Sequence, residues 1–204
     1  PIQDDIAITL PCFKLLKHAD GLLQRYCEPY IVSMAVDAGG HVDPRMDFNF
    51  MTFPKVARGG IVRMLGDGHL VYGPRNPGDF VAISVLVMEK DQDMVDLGTT
   101  LLSVVQSRAV EMGLHSVLTA HPGYSAVVGV LKELTQLVAG SLKENKDDEL
   151  FRTEGSFLRG HAVPYHINRS YEVGNEFVRL NLDVVPLERH NSQGPAPTQI
   201  DLSP

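Results

Sequence analysis

Four carboxylates crowd one short stretch of this sequence: Glu89, Asp91, Asp93 and Asp96. They follow directly on residues 79–88, DFVAISVLVM, the most apolar short run in the chain. Bounded by a Pro-Gly turn and a charged segment, that run predicts a buried central strand. A hard cation such as calcium takes roughly six to eight oxygen ligands, and alternate residues at a strand end can deliver carboxylates to one point. The stretch is not an EF-hand, because the glycine and the closing glutamate of that loop are missing. A plainer role is open to the same residues. Asp93 or Asp96 would cap the helix that follows, and Glu89 and Asp91 would be solvated charge.

Other reactive residue types give weaker patterns. His161 and His166 flank AVPY, and with His41, His69, His115 and His121 they could converge on zinc or act as acid–base groups. No HExxH spacing supports this, so separate loop histidines are the simpler account. Ser125 lies in GYSAV, which departs from the GxSxG nucleophile elbow at its last glycine. Pro1 is the residue type that serves as base in tautomerases, but PIQDD lacks the rest of that pattern. Cys12 and Cys27 form no CxxC pair, so buried free thiols and a reducing, cytoplasmic setting are expected.

Composition narrows the partners. The 204 residues carry 18 basic and 25 acidic side chains, a net charge of −7, with lysine and arginine scattered singly. No basic face results, and nucleic acid is set aside. No apolar run reaches the roughly 18 to 20 residues of a transmembrane segment, and no export signal is visible. With 44% apolar residues the chain can bury a proper core.

The elements that must position these residues follow from periodicity. Residues 6–17 contain Pro11 amid apolar positions and predict an edge strand with an irregularity. Further strands are expected at 30–40, 47–53, 61–65 and 69–73, and residues 156–163 also read as a strand. A hairpin or meander about Asn175 is expected within 169–187. Spacings of three and four from Met94 to Met112, and again over 124–142, predict two amphipathic helices, with 143–149 a solvated loop. The expected organisation is one domain over 1–187, a helical insertion at about 94–142, and an extended or disordered tail over 188–204. Strands, then helices, then strands argue for a mainly-β antiparallel sandwich rather than a doubly wound fold.

Two segments add a resemblance. Glu28-Pro29-Tyr30-Ile31-Val32 is similar to the Asp-Pro-Tyr-Val segment of C2 domains, the calcium- and lipid-binding sandwiches of synaptotagmin and protein kinase C. Val85 to Asp91, followed by Asp96-Leu97-Gly98, resembles that family's strand, acidic loop and Asp-x-Ile-Gly closure. The resemblance implies a C2-like β-sandwich interrupted by a pair of helices. It also implies calcium ligands at Asp20, Glu28, Glu89, Asp91 and Asp96. Two of the family's aspartate positions are glutamate here, and the spacings from Asp91 to Asp96 and from Asp20 to Glu28 differ from its pattern. The expected function is a binding or assembly module, leaning away from an enzyme, that meets a protein partner, a second copy or anionic lipid. The alternatives are a self-associating subunit without metal and a metal-dependent hydrolase pairing the same carboxylates with His161 or His166.

Overall fold

β-Branched and aromatic residues recur in short runs between turns, and the backbone follows them into strands. The computed structural model describes residues 5–19, 25–38, 46–90, 98–99, 101–103, 106, 124–144 and 146–187. Its strands are β1 (Ile6–Leu10), β2 (Cys12–Leu15), β3 (Tyr26–Cys27), β4 (Pro29–Asp37), β5 (Met46–Thr52) and β6 (Val56–Ala57). They continue with β7 (Ile61–Arg63), β8 (His69–Arg75), β9 (Phe80–Glu89), β10 (Asp148–Leu158), β11 (Ser170–Gly174) and β12 (Val178–Pro186). Helix α1 spans Tyr124–Glu144.

All described pairings are antiparallel. One sheet has the order β7-β2-β12-β1-β8 with β11 joined to β12; a second has the order β10-β9-β4-β5; β3 and β6 form a short ribbon. The mainly-β, antiparallel class expected from the sequence is the class the chain adopts.

Strand β9 is buried at all ten positions, which explains why its sequence is a continuous apolar run rather than an alternating one. Val81, Ile83, Val85 and Val87 join a core with Ile6, Ile8, Leu180 and Val184 of the larger sheet. Ala82, Leu86 and Met88 join a second core with Tyr30, Val32 and Met34 of β4 and Val127, Leu131, Leu134, Val138 and Leu142 of α1. The α1 residues recur at spacings of three and four, so one helix stripe covers one sheet face. Each fully buried aliphatic side chain contributes about 1.5 to 3 kcal/mol. A polar pin fixes the helix against the sheet. Thr135 Oγ1 donates to Leu131 O at 2.8 Å, and Ser84 of β9 donates to Thr135 Oγ1 at 2.6 Å.

Several expectations need correction. Pro11 does divide an irregular strand, but β1 lies between β12 and β8, and β2 between β7 and β12, so neither is an edge. The proline falls in the break between them, where its carbonyl still accepts from Met64 N. The expected loop at 143–149 ends early, because β10 begins at Asp148. Its charges hid it: β10 is the rim of its sheet, and Arg152 and Lys143 neutralise Glu149 there. The expected strand at 156–163 stops at Leu158, and a 3₁₀ turn follows at Pro164–His166.

The second expected helix is α1. Within the first, positions 98, 99, 101–103 and 106 are helical and the remainder lies outside the described residues, as does the 188–204 tail. The hairpin forms at Asn175, whose side-chain oxygen accepts from the backbone N–H groups of Phe177 and Val178.

Candidate metal centre

Strand register decides which of the carboxylates meet. Pro29 pairs with Glu89, and Lys90 N donates to Glu28 O, so the segments bearing Glu28 and Glu89 lie side by side. Their side chains part company. Glu28 is half exposed and pairs with Lys90 at 3.8 Å, beside a pocket of about 330 Å³ lined by Pro29, Tyr30, Phe53 and Pro54. Glu89 is 2% exposed and closes the inter-sheet end of β9. Asp20, Asp91 and Asp96 lie outside the described residues, so the expected five-residue set can be followed only at Glu28 and Glu89.

Glu89 instead meets two residues that spacing did not single out. Cys27 is held by the β3–β6 ribbon, in which it pairs with Val56. His18 follows β2 by three residues. All three are buried, and a ligand atom from each (imidazole nitrogen, thiol sulfur, carboxylate oxygen) lies within 4.8 Å of the others. Ala19 N donates to Glu89 Oε2 at 2.8 Å, which orients the carboxylate. Its other oxygen is 3.9 Å from His18 Nδ1, beyond hydrogen-bond range.

Both ring nitrogens of His18 are buried and have no hydrogen-bond partner. A buried polar atom without a partner costs about 1 to 3 kcal/mol, and an imidazole must always offer at least one donor or acceptor. Ligand atoms on a tetrahedral zinc ion are about 3.3 to 3.8 Å apart, given bonds of roughly 2.0 to 2.3 Å. The three donors here lie within 4.8 Å of one another, close to that spacing.

Several other buried polar groups are hydrogen-bonded within the protein. Tyr72 donates to Asp37 Oδ2 at 2.6 Å, Arg75 Nε to the same oxygen at 2.5 Å, and Arg75 Nη1 to Asp47 Oδ1 at 2.6 Å. The Arg75 guanidinium also lies over the Tyr72 ring, 4.5 Å from its centre. Burial, then the Asp37 hydrogen bond, raises the Tyr72 hydroxyl well above its ordinary pKa and keeps it a donor. For Arg75, burial pulls downward, but the bonds to Asp47 and Asp37 outweigh it and the net shift is upward. Tyr30 donates to Asp147 at 2.6 Å and is likewise raised, by burial first and by Asp147 second. His69 meets Ser33 Oγ at 2.8 Å, and burial lowers its pKa to about 4. Ser33 is fully buried and His69 nearly so, which makes this Ser–His pair a core hydrogen bond without access for a substrate.

His161 and His166 do come together, with ring centres 4.4 Å apart. They follow the end of β10 where Leu158 pairs with Phe80, whereas Glu89 pairs with Asp148 at the other end. The length of β9 therefore separates them from Glu89. His41, His115 and His121 lie outside the described residues, and Ser125 falls in the first turn of α1. No helix among the described residues is long and apolar enough to cross a membrane. Compared with known proteins, the chain matches no family model and no curated sequence.

Proposed function

We propose that the protein is a binding module built around a buried transition-metal ion held by His18, Cys27 and Glu89. The observation that carries this reading is the His18 imidazole, buried with both nitrogens unpartnered beside a thiol and a carboxylate. One nitrogen, one sulfur and one oxygen donor suit zinc, whereas calcium seeks oxygen alone. The calcium expectation finds no support in this donor set. Burial of all three ligands favours a structural ion over one that turns over substrate. Such an ion would tie the β2 exit and the β3 ribbon to the end of β9, which is far from both in sequence.

The C2-like reading belongs to the same proposal. It is supported by the side-by-side placement of the Glu28-Pro29-Tyr30 strand opening and the Met88-Glu89 strand end. The hydrolase alternative loses its support, because His161 and His166 lie at the far end of β9 from Glu89.

Metal analysis of chain refolded with zinc and passed through a desalting column tests the proposal. One zinc per chain, not displaced by millimolar calcium, is the expected result. A chain that retains no zinc, or that takes up calcium in preference, would overturn it.

A further inference from the structure

The turn after β10 carries a second arrangement, independent of the first. Between Arg159 and Arg169 the sequence RGHAVPYHINR holds two histidines and no acid. Three residues there that are not glycine, Tyr165, His166 and Asn168, adopt positive φ of 53°, 56° and 64°. Left-handed backbone is costly for Tyr and His, and residues so held cluster where a side chain must be aimed.

The surroundings over-determine this turn. Tyr165 is fully buried and its hydroxyl donates to Gly78 O, which anchors the turn to the start of β9. His166 Nδ1 is hydrogen-bonded to Tyr171 OH, and the His166 ring stacks on that of Tyr171 at 21°. Phe157 packs edge-on against both rings. The result is a fixed His166 ring facing the exposed His161 at 4.4 Å between centres.

We propose that His161 and His166 form a two-imidazole site at the protein surface for a divalent transition-metal ion, copper(II) most strongly. Imidazole suits copper, nickel and zinc, and among first-row divalent ions copper binds a given nitrogen site most tightly. Tyr171 takes the part of the outer partner that orients a metal-bound imidazole, holding Nδ1 and leaving Nε2 for the ion. His161 is exposed, so this site differs from the buried centre in being open to water or an outside ligand.

The test is copper(II) titration of the full chain, read by electron paramagnetic resonance and by competition with a chelator of known affinity. Wild type is expected to show nitrogen hyperfine structure from two imidazoles. His161→Ala removes an exposed ligand, and His166→Asn keeps a residue that tolerates left-handed backbone. Each is expected to weaken copper by at least about tenfold, since loss of an outer partner alone costs roughly that much. Tyr171→Phe is expected to weaken it by about tenfold. These substitutions leave His18, Cys27 and Glu89 in place, so copper taken up there is common to all the chains and the difference between them reports the surface pair alone. A double variant, His161→Ala with His166→Asn, that retains wild-type affinity and spectrum would overturn the proposal.

Discussion

Strands β4 and β9 run side by side, and a buried polar cluster sits at each end of the pair. At the end where Asp37 pairs with Val81, two carboxylates, a guanidinium and a phenol satisfy one another over distances of 2.5 to 2.6 Å. At the end where Pro29 pairs with Glu89, a histidine, a cysteine and a glutamate gather without a cation among them, and the imidazole has no partner. The first is partly exposed through Arg75 and Asp47, the second is buried throughout, and their chemistry is opposite. The first cluster contains its own positive charge, Arg75, with only Nη2 unpartnered. The second gathers three potential metal ligands within 4.8 Å of one another, and both nitrogens of its imidazole lack a hydrogen bond. A network that supplies its own cation is a structural device; three ligand atoms gathered around an imidazole that lacks hydrogen bonds are a site.

The largest expected effect breaks the closed end. Arg75→Leu leaves Asp37 and Asp47 without their cation, and losing one partner of a buried pair costs about 3 to 5 kcal/mol. Because the Arg75 side chain is partly exposed, a loss of about 3 kcal/mol is expected in urea unfolding at neutral pH.

Between the two ends, His69 adds a pH signature. Its folded pKa of about 4 lies below the ordinary value of 6.5, so the folded state binds protons less readily than the unfolded chain. The stability that neutral His69 secures is present above about pH 6.5 and is lost as pH falls toward 4. The shift corresponds to about 3 kcal/mol as an upper bound, at about 1.4 kcal/mol per pKa unit. His69→Asn should flatten this part of the stability profile, measured by urea unfolding between pH 7 and pH 4.5.

Metal removal sharpens the contrast next. At a free metal concentration a hundredfold above Kd, a bound ion adds about 2.7 kcal/mol. Chelation should then lower Tm by roughly 5 to 10 °C for a chain of this size. The same treatment of a Cys27→Ser variant should change Tm far less.

The smallest expected effect is the most telling comparison. In chelator, His18→Leu removes two unpartnered buried nitrogens and should cost less than about 1 kcal/mol, or even stabilise. Were it to destabilise the metal-free chain as much as Arg75→Leu, the two ends would be alike and the distinction drawn here would fail.

The sequence carried the fold class well, because β9 and β12 announce themselves by composition: one is apolar throughout and the other alternates Val178, Leu180, Leu182 and Val184 inward. It concealed the start of β10, whose rim position lets Asp148 and Glu149 occupy a strand while reading as the end of a charged loop. The site was half legible. Glu89 stood out within an acidic run, but its partners came from the β2 exit and a two-residue strand, brought near by register rather than by spacing. His18 and Cys27, nine positions apart around a stretch outside the described residues, match no ligand motif. Their one sequence-level sign is that each borders an apolar strand segment, where a histidine or cysteine is carried into the interior.

Cobalt(II) titration of the metal-free chain tests the central claim most directly, because cobalt substitutes for zinc and reports its ligands in its absorption spectrum. The account predicts saturation at one equivalent in the buried centre, with tetrahedral visible bands and a sulfur-to-cobalt charge-transfer band that Cys27→Ser abolishes and His18→Leu weakens. A spectrum without charge transfer from sulfur, unchanged by either substitution, would contradict it.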